Sequence, residues 1–233
     1  WMHDDPVLSG LALLIEASMN ILADGNLLRD GPGNGALLVL AHGAGAPMDS
    51  SFMQAIAGLL AARGVHVVRF EFAYMAARRA GGGRKPPSRM PQLLQEYRSV
   101  LGGVANASRV FIGGKSMGGR VASLLAADGA QNCNVSGLVC LGYPFHPPGK
   151  PDKLRTAHLP DLACPALIVQ GERDPFGTRE EVSAYALPGS FVFHWCPVGN
   201  HDLAPPKRSQ FTAQANLVSA ADAIAAFMKL HGG

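Results

Sequence analysis

Residues 110–122 read Val110-Phe111-Ile112-Gly113-Gly114-Lys115-Ser116-Met117-Gly118-Gly119-Arg120-Val121-Ala122. An apolar run enters a G-x-S-x-G pentad and leaves it with helical spacing, so the stretch predicts a strand, a sharp turn and a helix. Such a turn lifts the Ser116 hydroxyl above the sheet edge. The flanking glycines remove Cβ atoms that would clash there, and the helix beginning at Met117 aims its partial positive charge at the same point. The Gly114-Lys115-Ser116 triplet also resembles the end of a phosphate-binding loop. That loop needs a glycine five positions before Gly114, where Arg109 stands inside the strand, so nucleotide binding is excluded here.

Working outward, short apolar runs at 36–41, 65–70, 109–112, 137–141, 166–169 and 191–195 read as buried strands. Helical patterns lie between or after them at 51–62, 92–104, 117–127, 179–186 and 211–230. Residues 11–16 and 20–28 read as an entry hairpin turning at Asp24-Gly25. Strand–helix alternation predicts an α/β fold, with a mostly parallel sheet covered by helices on both faces. No boundary or internal repeat divides the chain, so residues 1–233 read as one domain. In such sheets functional residues sit just beyond the carboxyl ends of the strands.

A nucleophilic serine needs a base, and the base needs an orienting acid. His201, in Gly199-Asn200-His201-Asp202 after the last strand, is the expected base; His146 and His158 compete with it. Asp174, in Gln170-Gly171-Glu172-Arg173-Asp174-Pro175, is the expected acid, with Glu172 and Asp161 as alternatives. Two backbone N–H groups should stabilise a developing oxyanion. Met117 supplies one, and Ala44 in His42-Gly43-Ala44-Gly45-Ala46-Pro47 the other, with Gly45 second. His42 reads as structural.

The chain order Ser116, Asp174, His201 and the pentad resemble the α/β-hydrolase superfamily over nearly the whole length. The compact dienelactone-hydrolase-like branch is similar, with serine here in place of its cysteine. Small hydrolase-like proteins related to a subunit of the eukaryotic NSL chromatin complex are more similar still, through residues 41–49, 113–119, 170–177, 199–203 and the loop Gly142-Tyr143-Pro144-Phe145-His146-Pro147-Pro148-Gly149. The resemblance implies the fold, the triad and an ester-type hydrolase label. The expected chemistry is cleavage of a small carboxylic ester, thioester or lactone through an acyl-enzyme on Ser116. The competing expectation is a non-catalytic scaffold on the same fold.

Composition narrows the setting. The chain has 233 residues, 48% hydrophobic and 16% charged, which is enough to bury a core and excludes disorder as the main state. A formal charge of +3 is too small to argue for nucleic acid. Cys133, Cys140, Cys164 and Cys196 form no CxxC pair, so neither a zinc site nor a disulfide scaffold is expected, and free thiols suit the cytoplasm. No run approaches the roughly 18 apolar residues of a membrane span, and Asp4 and Asp5 do not suit a secretory signal. The expected partner is a small acyl substrate, with no cofactor, metal, nucleic acid or membrane, on a monomer or homodimer. Only about twenty Pro-rich residues separate Leu141 from Cys164, so at most a short flap is expected over the site. Residues 78–89 carry five basic side chains after a strand and read as a solvated loop, in which Arg78, Arg79 or Arg84 is a candidate partner for an anionic group.

Overall fold

A computed structural model describes residues 27–34, 36–104, 109–128 and 135–232. Among the described residues seven strands form one sheet: β1 (Leu27–Asp30), β2 (Leu37–Ala41), β3 (His66–Phe70), β4 (Val110–Lys115), β5 (Val135–Leu141), β6 (Ala166–Gly171) and β7 (Phe191–Cys196). Their order is β1-β3-β2-β4-β5-β6-β7. β1 runs antiparallel to β3 and every other pair is parallel. The helices are α1 (Ser51–Ala61), α2 (Ala73–Arg79), α3 (Met90–Gly103), α4 (Met117–Ala127), α5 (Arg179–Ser183) and α6 (Ala213–His231), with a 3₁₀ turn at Leu159–Asp161.

The strands read as unbroken apolar runs because both faces are covered. Along β2, Leu37, Val39 and Ala41 join one core, while Leu38 and Leu40 join the other. The first core packs Val68, Ile112 and Cys140 against Tyr97 of α3 and Val121 and Leu125 of α4. The second packs Phe111, Val139 and Val169 against Met53, Ile56 and Leu60 of α1 and Ile224 of α6. Ile56 and Leu60 are fully buried, each worth roughly 1.5–3 kcal/mol by burial. Tyr97 also donates to the Val39 carbonyl (2.7 Å) and accepts from the Gly113 N–H (2.9 Å), so α3 is pinned to β2 and β4.

The fold is the α/β-hydrolase arrangement that the sequence leads one to expect, with several local corrections. β4 and β6 run on to Lys115 and Gly171, carrying polar residues to the sheet edge where the site lies. Arg78 and Arg79, read as part of a loop, instead close the short helix α2, whose Ala, Met and Arg residues favour helix and whose basic end suits the helix dipole. α5 stops at Ser183, ahead of the Leu187-Pro188-Gly189 stretch. α6 starts at Ala213, because the Thr212 side chain accepts from the Ala215 N–H (3.0 Å) and caps it. The expected hairpin lies outside the described residues except for Leu27 and Leu28, which pair with β3. Cys133 also lies outside them, and Cys140, Cys164 and Cys196 are free thiols. No described helix is long and apolar enough to cross a membrane.

Candidate active site

Parallel register brings the carboxyl ends of β2, β4, β5 and β6 to one edge. Ala41 pairs with Gly114 and Lys115 with Leu141. Ser116 follows directly, at φ 51° and ψ −113°, outside the regions that L-residues normally occupy. Its N–H donates to the Leu141 carbonyl (2.9 Å), which fixes the turn. α4 lies hard against the sheet here. A Cβ on Gly118 would sit 2.6 Å from the Ala41 carbonyl oxygen, so only glycine allows that approach.

His201 Nε2 is 2.8 Å from Ser116 Oγ, and His201 Nδ1 is 2.8 Å from Asp174 Oδ2. Asp174 is fully buried. Its Oδ1 accepts from the Phe176 N–H (2.9 Å), and its Oδ2 accepts also from Gln170 Nε2 (3.0 Å). A carboxylate that only accepts directs the Nδ1 proton toward itself, leaving Nε2 free to accept from the serine hydroxyl. That chain of bonds is able to draw a proton from Ser116 as the oxygen attacks.

The alternative residues are held elsewhere. Glu172 accepts from the Val198 N–H (2.9 Å) and Arg179 (2.7 Å), bonds that lower its pKa in that order. Asp161 lies in the 3₁₀ turn. His146 faces Glu181 at 3.5 Å, and His158 bonds Ser123 at 2.8 Å. His42 is buried, contacts the Gly43 carbonyl through Nδ1 (2.6 Å) and accepts from the Phe72 N–H through Nε2 (3.1 Å), so it ties the turn after β2 to the end of β3. Burial lowers its pKa.

A cleft of about 290 Å³ opens over Ser116, bounded by Gly43, Ala44, Gly45, Phe52, Phe176 and His201 among others. The Gly43 carbonyl takes bonds from His42 and Tyr74, and the Ala44 carbonyl accepts from the Tyr74 hydroxyl (3.0 Å). In a trans peptide the N–H points opposite to the carbonyl. The N–H groups of Ala44 and Gly45 are thereby turned away from Tyr74. Met117 holds the first position of α4, where its N–H has no intrahelical acceptor, but it is not among the residues lining the cleft.

Three residues here escaped sequence reasoning. Gln170 is fully buried, accepts from the Tyr143 N–H (2.7 Å) and holds Asp174. Phe176 lies with its ring centroid 4.3 Å from the imidazole of His201. Lys115 donates to the His201 carbonyl (2.8 Å), pairs with Asp202 (3.2 Å) and lies over Phe52. For Lys115 and Gln170 the available signal was a polar residue ending an otherwise apolar strand. No group of three or more described His, Cys, Asp or Glu residues is placed to hold a metal ion.

Residues 34–229 match the α/β hydrolase domain family, so the chain belongs to it. Solved structures of similar fold include an α/β serine hydrolase homologue from Coxiella burnetii (TM-score 0.64, 18% identity, covering 87% of this chain and 90% of that one). A dienelactone hydrolase from Anabaena variabilis is comparable (0.64, 19%, 88% and 91%). An α/β serine hydrolase without a lid from Xanthomonas campestris is too (0.60, 16%, 88% and 88%). At these identities the likeness is one of fold; in this chain the β5–β6 connection carries a single 3₁₀ turn.

Proposed function

We propose that the chain is a single-domain serine hydrolase that cleaves a small carboxylic ester, thioester or lactone through an acyl-enzyme on Ser116. The observation that carries this reading is the unbroken hydrogen-bond path from Ser116 Oγ through the His201 ring to buried Asp174. His201 takes the hydroxyl proton as Ser116 Oγ bonds to the substrate carbonyl carbon, and Asp174 offsets the imidazolium charge. The oxyanion is met by the N–H groups of Ala44 and Met117. As the tetrahedral adduct collapses, the bond to the leaving group breaks and His201 returns the proton to it. Water, deprotonated by His201, then attacks the acyl-enzyme, and Ser116 leaves with that proton.

The chemistry needs no cofactor. A cleft of about 290 Å³ with no helical insertion between β5 and β6 suits small or protruding acyl groups better than long lipids. The elbow together with the Gly142–Gly149 loop supports placement near the NSL-related proteins of the compact dienelactone-hydrolase-like branch, and the free thiols suit a reducing, cytoplasmic setting.

Fluorophosphonate labelling read by intact mass tests the proposal. One adduct on the wild type and none on Ser116→Ala is the expected result. A folded wild type that takes no adduct overturns it and favours a scaffold role.

A further inference from the structure

A second hollow adjoins the cleft and is basic. It measures about 450 Å³ and is lined by Gly45, Pro47, Met75, Arg78, Arg79 and Arg84. Gly45 lines both spaces, so they meet at the turn carrying Ala44.

The acids beside this hollow are already taken. Arg79 engages Glu71 through Nε (2.7 Å) and Nη2 (3.0 Å), and Asp49 through Nη1 and Nη2 (both 2.8 Å). Glu71 is almost wholly buried and also accepts from the Met48 N–H (3.2 Å). Arg78 and Arg84 have no carboxylate partner among the described residues. Among the described residues Arg78 donates once, through Nη2 to the Lys85 carbonyl (2.8 Å), while its Nε is buried and has no acceptor there. A buried N–H without a partner is unfavourable, and the rest of the Arg78 guanidinium meets only that one carbonyl. In the Ser116 cleft, by contrast, the Lys115 charge is met by Asp202. An anion entering from the cleft therefore finds its uncompensated charge past Gly45.

We infer that this arginine hollow is an anion subsite of the same reaction centre, so that the acyl substrate carries a carboxylate or phosphate-type group on the arm running past Gly45. The inference rests on the serine-hydrolase reading above. A guanidinium presents paired N–H donors that fit either anion. Met75 and Pro47 supply an apolar wall for the methylenes between the carbonyl and the charge.

The test compares aryl esters of one chain length: the glutaric half-ester, the 4-phosphonobutyric ester and the neutral pentanoic ester. Wild type, Arg84→Glu and Arg78→Gln are assayed, and the readout is the ratio of kcat/KM for each anionic ester to that of the neutral one. The expected wild-type ratio is tenfold or more for at least one anionic ester, and the ester that responds names the anion. Both variants should bring that ratio to near one or below, mainly through KM. Arg84 is exposed and makes no bond to a carboxylate, so Arg84→Glu decides the matter if Arg78→Gln folds poorly. A wild-type ratio near one, or a ratio that Arg84→Glu leaves unchanged, overturns the subsite. Fluorophosphonate labelling of the same preparations separates the two ideas. A labelled enzyme without anion preference loses the subsite alone, whereas an unlabelled one that hydrolyses no ester loses the hydrolase reading.

Discussion

Lys115 Nζ donates to the backbone carbonyl of His201 at 2.8 Å, so the residue preceding Ser116 holds the main chain of the residue that faces it. Burial lowers the pKa of this lysine, with Asp202 opposing the shift. Replacing a buried charge by an apolar side chain of similar length relieves its desolvation. Lys115→Met should therefore keep stability within about 1 kcal/mol of wild type, yet loosen the His201 loop and lower kcat for a neutral ester by roughly tenfold. Urea melts and steady-state kinetics on one preparation check this. A large loss of stability with kcat intact would assign Lys115 a purely structural role.

Gly142 sits beneath the same histidine at φ 63°. A Cβ there would lie 2.9 Å from the His201 carbonyl oxygen and 3.2 Å from its Nδ1. Gly142→Ala should push the imidazole off the line between Asp174 and Ser116. A displacement approaching 1 Å is worth on the order of 10²-fold in rate. The expected result is a fall in kcat of that order with KM little changed, read with a small aryl ester. Unchanged kcat would mean that the ring does not depend on this contact.

The backbone of Ser116 offers a test that needs no substrate. Its φ of 51° with ψ of −113° is a conformation that only glycine adopts without strain. Ser116→Ala keeps that strain and Ser116→Gly releases it. Gly also gives the unfolded chain more freedom, which offsets part of the gain. The glycine variant should be the more stable of the two by about 1 kcal/mol. Chemical denaturation of the pair measures it, and an alanine variant of equal or greater stability would show that the turn is unstrained.

Much of the candidate site was legible because the residues that form it are marked locally. Strand, elbow and helix are contiguous around Ser116, and Asp174 and His201 each follow an apolar run. The sheet was legible because strands buried on both faces lose their alternation and stand out as apolar runs. What escaped depends on distant partners. Lys115 meets His201 across 86 positions of chain, and Gln170 meets Tyr143 across 27. Helix α2 was hidden by its seven residues and by the basic, Gly-rich stretch after it. That Arg78 Nε meets no acceptor among the described residues is a property of packing that composition does not carry.

Acid should weaken the fold through histidine as well as carboxylates. Burial first, and Arg120 second, bring the His158 pKa down from the usual 6.5 to about 4, with Asp161 opposing. Burial lowers His42, His66 and His194 as well. Between about pH 6.5 and 4 the unfolded chain binds a proton at His158 that the folded chain does not. The stability this residue contributes is therefore fully present above 6.5 and is lost as the pH falls toward 4. His158→Gln keeps a donor and acceptor for Ser123 but cannot charge. Its urea midpoint should fall less steeply than that of wild type from about pH 7 to about pH 4.5. Some slope should survive in the variant, because His42 accepts from the Phe72 N–H only while its Nε2 is unprotonated. Identical slopes in the two proteins would show that His158 does not titrate with unfolding.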